Sequence, residues 1–205
     1  MNDSARHPTT SPAIAADRAA DRNDPGPASP LSALPSRRIV LTGFMAAGKT
    51  TVGTMLAQQL DWPFRDVDTE IEAATGLSVP EIFRIHGEPH FRELEHATIA
   101  RLLASEPLVL ALGGGAIEDP HTRALLLGSP SIHLVNLEAS LETTLARSGL
   151  AGDLARPVLA DRANLEARYN ARLPLYRHAH QTVRVDDIGP SAVVQAILLH
   201  LFPSR

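Results

Sequence analysis

The chain has 205 residues, 44% of them apolar and 20% charged, with 19 Lys and Arg against 23 Asp and Glu for a formal charge of -4. That length suits one domain with a sizeable core, and the acidic balance argues against bulk nucleic acid or an anionic membrane as the main partner. With no cysteine, a disulfide scaffold, a thiolate zinc site and a cysteine nucleophile are excluded, and no apolar run of about 18 residues exists to span a bilayer.

Residues 1–36 hold Pro8, Pro12, Pro25, Pro27, Pro30 and Pro35, and the first aromatic residue of the chain is Phe44. Such a stretch buries too little apolar surface to offset its ordering entropy, so it reads as a disordered extension ahead of one domain over 37–205. Its longest apolar piece, Ala13 to Ala16, runs into Asp17, too short for a secretory signal core.

From Arg38 the pattern alternates strand and helix. Arg38 to Thr42 is a β-branched run ending at Gly43, and Gly48 to Leu60 carries Val52, Met55, Leu56 and Leu60 at helical spacing. Phe64 to Asp68 suggests a second short strand. Ser78 and Glu81 have capping-box spacing, and Glu88 to Leu103 reads as a further helix. Pro107 to Leu112 is an apolar strand running into Gly113, Gly114 and Gly115. A helix over Pro120–Leu127, a strand over Ser131–Leu137 and a helix over Ala139–Arg147 follow. Helices near Asp161–Ala171 and Ser191–Leu201 flank a last strand at Thr182–Val185. Repeated βα units with all-apolar strands imply an α/β fold, a parallel sheet covered by helices on both faces.

The first βα junction carries the most specific motif. Gly43-Phe44-Met45-Ala46-Ala47-Gly48-Lys49-Thr50 fits G-x-x-x-x-G-K-[ST], with a strand before it and a helix after. Backbone N–H groups of such a loop, over Ala46, Ala47, Gly48 and on to Thr51, surround phosphates at a positive helix end. Lys49 balances phosphate charge there, and the Thr50 hydroxyl is a Mg²⁺ ligand. Asp66 and Asp68, two apart in the second strand, are expected on one strand face near its carboxyl end, where open α/β sheets bind ligands. The alternative for Asp68 is a plain cap on a helix starting at Thr69.

Six segments in order now resemble shikimate kinase: Gly43 to Gly53, Phe64 to Asp68, Gly87 to Glu95, Leu112 to Ala116, Arg156 to Leu159 and Arg172 to Tyr176. The resemblance runs from about Arg37 to Phe202. It implies a three-layer αβα P-loop kinase fold with a five-stranded parallel sheet in the order 2-3-1-4-5 and a mobile lid over about 148–160. It also implies transfer of the ATP γ-phosphoryl group to the 3-hydroxyl of shikimate, in aromatic amino-acid synthesis, by a monomeric, cytoplasmic, Mg²⁺-dependent enzyme whose partners are ATP and shikimate.

By the same resemblance, Asp68 contacts the reacting hydroxyl and Asp66 lies near Mg²⁺. Arg92 and Arg172 grip the shikimate carboxylate, work suited to a planar guanidinium fork, and Glu95, one turn from Arg92, fixes it. Gly113, Gly114 and Gly115 let the backbone approach the ring. Arg156 closes from the lid onto the phosphates, and Arg147 lies beside adenine.

The chain also departs from the family pattern. Ala46 stands where glycine is usual, which costs about 1 kcal/mol if that position needs a positive φ. Asp186 to Pro190 holds no arginine where many members have a basic adenine-side loop, so no nucleotide contact is carried over from the family there. Neither His86, His90 and His96 nor His178 and His180 show metal-ligand spacing. The competing readings are another small P-loop kinase, for gluconate or a nucleotide, and a nucleotide-binding relative without turnover.

Overall fold

The computed structural model describes residues 37–104, 107–148 and 162–203. The expected extension over 1–36, the expected lid apart from Ser148, and Arg156 within it lie outside the described residues. Five strands, β1 (Arg38–Thr42), β2 (Phe64–Asp66), β3 (Leu108–Ala111), β4 (Ile132–Glu138) and β5 (Gln181–Arg184), form one sheet in the order β2-β3-β1-β4-β5. Every adjacent pair is parallel.

Alternation along the strands divides the core between the two faces. Ile39 and Leu41 of β1 face α1 (Lys49–Leu60) and α7 (Pro190–Leu201), packing with Val52, Leu56, Val193 and Ile197. Val40, Leu110 and Leu134 face the other way, toward α2 (Val67–Thr75), α3 (Val79–Leu103), α4 (Pro120–Gly128) and α6 (Arg162–Tyr176). The sheet is thus sandwiched between two helical layers, the three-layer αβα arrangement, and a short α5 (Leu141–Arg147) follows β4.

Three local details place the site. The capping box of Ser78 and Glu81 starts α3, and Gly87, at φ 80° and ψ 168°, breaks the helix just before Pro89. The two helices read from the sequence therefore meet at a kink, with Pro89 in the first turn of the second arm, where its missing N–H is harmless. A one-turn 3₁₀ helix, Ala116–Glu118, follows the triple glycine. Helix α6 continues through Pro174 to Tyr176, beyond the Ala171 end expected from the sequence.

Candidate active site

The loop between β1 and α1 is shaped by backbone angles that favour glycine. Gly43 has φ 135°, and a Cβ there would strike the Leu137 carbonyl. Gly48 has φ 96° and caps α1 without a side-chain bond, so the first N–H groups of the helix are left for a ligand. Ala46 has φ 58°, the positive value whose cost the sequence raised. The loop walls a cavity of about 530 Å³ running from Ala46 to Val52, which takes in Ala47, Gly48, Lys49, Thr50 and Thr51. Arg147 closes the same cavity, donating to the Val185 carbonyl at 2.6 Å. Ile188, Gly189 and Pro190 line it too. This loop, which has no arginine, meets the cavity with Ile188 and Pro190.

Lys49 Nζ donates to the carbonyls of Gly43 at 2.8 Å and Phe44 at 3.1 Å. Desolvation of its ammonium lowers Lys49 to about 8, against the opposing pull of Asp68 and Asp66.

The two aspartates do not share a strand face. Strand β2 ends at Asp66, which is the N-cap of α2, while Asp68 is the second residue of that helix. Asp66 Oδ1 accepts from the Asp68 N–H at 3.1 Å, and Oδ2 accepts from Thr50 Oγ1 at 3.2 Å. The cap is therefore Asp66, and α2 starts two residues before Thr69. A Ser, Thr, Asp or Asn side chain competes for its own backbone at a strand end, and that competition ends the strand here. Burial raises Asp68 above the usual carboxylate range and Asp66 adds to the rise, while Lys49 and Arg92 oppose it.

The triple glycine lets three elements crowd together. A Cβ on Gly113 would lie 2.7 Å from Glu95 Oε1 and 2.9 Å from Asp68 Oδ1, and one on Gly115 would lie 2.7 Å from Arg92 Cζ. Tyr176 OH donates to the Gly114 carbonyl at 2.5 Å, and burial pushes its phenol well above the ordinary value.

A second cavity of about 660 Å³ opens beside this turn, lined by Val79, Pro80, Phe83, Glu88, Arg92, Glu118, Arg168 and Arg172. Arg92 donates to Glu95 Oε2 at 2.6 Å and to Glu88 Oε1 at 2.9 Å. Glu95 is 1% exposed, and its Oε1 has no hydrogen-bond partner among the described residues. Burial pushes Glu95 up to about 7; Arg92 resists this and Asp68 reinforces it. Arg172 donates to Glu118 Oε2 at 2.7 Å and lies over the Phe44 ring.

Arg92 and Arg172, far apart in sequence, thus line one cavity, and the glycine turn, with Glu95 and Asp68 close to Gly113, lies next to both arginines. Sequence reasoning missed Glu118, Arg168 and Tyr176. Tyr176 lies inside a quoted motif, but only the fold brings its hydroxyl to Gly114. Among the described residues, no group of three or more His, Asp and Glu could enclose a metal ion, and no helix is long and apolar enough to cross a membrane.

Comparison with known proteins agrees with this geometry. A family model described as shikimate kinase matches residues 45–202. A shikimate kinase of Nitrobacter winogradskyi is 46% identical over 175 residues, covering 83% of this chain and 80% of that protein. One from Bradyrhizobium diazoefficiens is 43% identical over 168 residues, covering 80% and 79%. The structure of shikimate kinase from Acinetobacter baumannii in complex with shikimate superimposes with a TM-score of 0.74 at 37% identity, covering 81% of this chain and 93% of that one. A gluconokinase from Sinorhizobium meliloti, at 21% identity and a TM-score of 0.52, shares the fold alone. The chain belongs to the shikimate kinase family.

Proposed function

We propose that this chain transfers the γ-phosphoryl group of ATP to the 3-hydroxyl of shikimate, giving shikimate 3-phosphate and ADP on the route to aromatic amino acids. The observation that carries the reading is the place of Asp68. It interacts electrostatically with Lys49 of the loop cavity on one side and Arg92 of the second cavity on the other. A group so placed can align an alcohol with a phosphorus atom.

In this reading the phosphates lie on the N–H groups of residues 46–51, and Lys49 leaves its carbonyl partners for the β- and γ-oxygens. Their charge offsets the desolvation that depresses Lys49 and keeps it protonated. Adenine lies between Arg147 and the apolar wall of Ile188 and Pro190. The shikimate carboxylate meets Arg92 and Arg172, and the ring hydroxyls approach Gly113, Asp68 and the open oxygen of Glu95. The acceptor oxygen forms the new P–O bond as the β,γ-bridging bond breaks, and Asp68 takes the hydroxyl proton. A raised carboxylate is the better base for this step. Arg156 is assigned to the phosphates by family resemblance.

Thr50 and Asp66 bring two hard oxygen donors together at the edge of the loop cavity, which suits a Mg²⁺ that keeps water and phosphate ligands. Bound there, it supplies charge neutralisation of the phosphates. We further propose that the chain works as a monomer in the cytoplasm, since one copy lines both cavities.

The test is ADP release with shikimate, gluconate and AMP offered separately under saturating ATP. Release with shikimate alone is expected. Release with gluconate or AMP instead moves the assignment to another small-molecule kinase, and ATP binding with no release in any arm leaves a nucleotide-binding protein.

A further inference from the structure

The acceptor cavity contains an ion pair that phosphoryl transfer does not itself require. Arg172 and Glu118 both line this cavity, and a terminal nitrogen of Arg172 donates to Glu118 Oε2 at 2.7 Å. Glu118 ends the 3₁₀ turn after the triple glycine, and its side chain is 39% exposed, against 11% for Arg172. The arginine does not depend on this partner for its position. It is buried over the Phe44 ring at 6.0 Å, and Phe44 is braced edge-on by Tyr169 at 5.3 Å. One helical turn before Arg172 stands Arg168, exposed on the same cavity wall and without an ion pair among the described residues.

We propose that Glu118 is a specificity-determining residue of the acceptor site, a resident carboxylate that occupies Arg172 until the carboxylate of an acceptor displaces it onto Arg168. The proposal rests on the reading of this cavity as the site of a carboxylate-bearing polyol. The exchange leaves no charge stranded: one carboxylate leaves Arg172 as another arrives, and a cation one turn away receives the first. Leaving Arg172, whose side chain is 11% exposed, without a carboxylate would be strongly unfavourable. A neutral polyol has nothing to exchange and leaves Glu118 on Arg172, so the glutamate works against the wrong acceptor as well as with the right one.

The experiment uses the full chain and the variants Glu118→Gln, Arg168→Ala and the double variant. Shikimate affinity is read by calorimetry and acceptor KM by ADP release. Glutamine keeps the size and one acceptor oxygen but competes poorly for a guanidinium. Glu118→Gln is expected to tighten shikimate Kd about fivefold and to lower KM in parallel, with a smaller change in kcat. Arg168→Ala is expected to weaken binding about threefold in the parent chain and to have no such effect beside Glu118→Gln. Unchanged or weaker binding by Glu118→Gln would mean that the glutamate merely positions Arg172, and the proposal falls. Equal effects of Arg168→Ala in both backgrounds remove Arg168 from the exchange. If the parent chain binds ATP but not shikimate, the proposed reaction fails instead. Glu118 is then judged by titrating cyclohexanecarboxylate, where tightening by Glu118→Gln upholds the exchange and its absence overturns it.

Discussion

The loop cavity and the acceptor cavity are built from different materials. The first is mostly consecutive backbone, residues 46–52, with its shape set by the angles at Gly43, Ala46 and Gly48. The second is side chain, gathered from both arms of α3, the 3₁₀ turn and α6, and two of its cations, Arg92 and Arg172, are already paired with carboxylates. Backbone recognition suits a polyphosphate, which presents the same oxygens in every nucleotide. Recognition by buried ion pairs suits selection of one acid among many polyols, because each unpaired charge is penalised.

That contrast can be broken most sharply at Asp68, where the two sides meet. Asp68→Asn should lower kcat about a thousandfold, the middle of the range for losing a positioned acid–base group. ATP affinity should hold within about twofold, measured by calorimetry; near-normal turnover would remove Asp68 from the chemistry. Lys49→Met comes next, with turnover falling several hundredfold, roughly what one preorganised donor on developing charge contributes. Here shikimate affinity should stay put, and a parallel loss of it would mean that the two cavities are not separable.

How far the sequence carries depends on the same contrast. The phosphate loop could be read directly, because its chemistry lies in consecutive residues between a strand and a helix, and strand order followed from the family resemblance. Arg92 and Arg172 were visible only as members of family motifs, since an isolated arginine on a helix looks like solvated surface. Glu118 and Arg168 carry no local signal: they matter because the 3₁₀ turn and α6 are brought together, which is a tertiary fact. Asp66 and Asp68 were misplaced because a strand of three residues ends at a capping aspartate, and period-two alternation does not hold across that boundary. The wall at Ile188 and Pro190 was not legible for a related reason: without the family's arginine, nothing local in Asp186 to Pro190 marks it as lining the cavity.

Two smaller tests sharpen the comparison through stability. Glu95 is raised to about 7 in the folded chain from a usual carboxylate value near 4.5. The folded state therefore holds more protons than the unfolded state between those values, and stability falls as pH rises through that window. Glu95→Gln should remove about 3 kcal/mol of this decline, read from denaturant unfolding at pH 4.5 and pH 8. An unchanged slope would place the titration elsewhere. On the loop side, Ala46→Gly relieves a left-handed alanine but frees the unfolded chain, for a net gain of about 0.5 kcal/mol. A rise in Tm of about 1–2 °C is expected, and a fall would show that alanine is the better residue at this turn.

The bond from Tyr176 to the Gly114 carbonyl has a consequence for alkaline solution. A phenol held this deep keeps its proton at pH values where the free enzyme's Lys49 has already lost its own. The Tyr176 bond to the glycine turn therefore outlasts the charge on Lys49 as pH rises, and the basic limb of kcat/KM for ATP is expected to follow the lysine rather than the tyrosine.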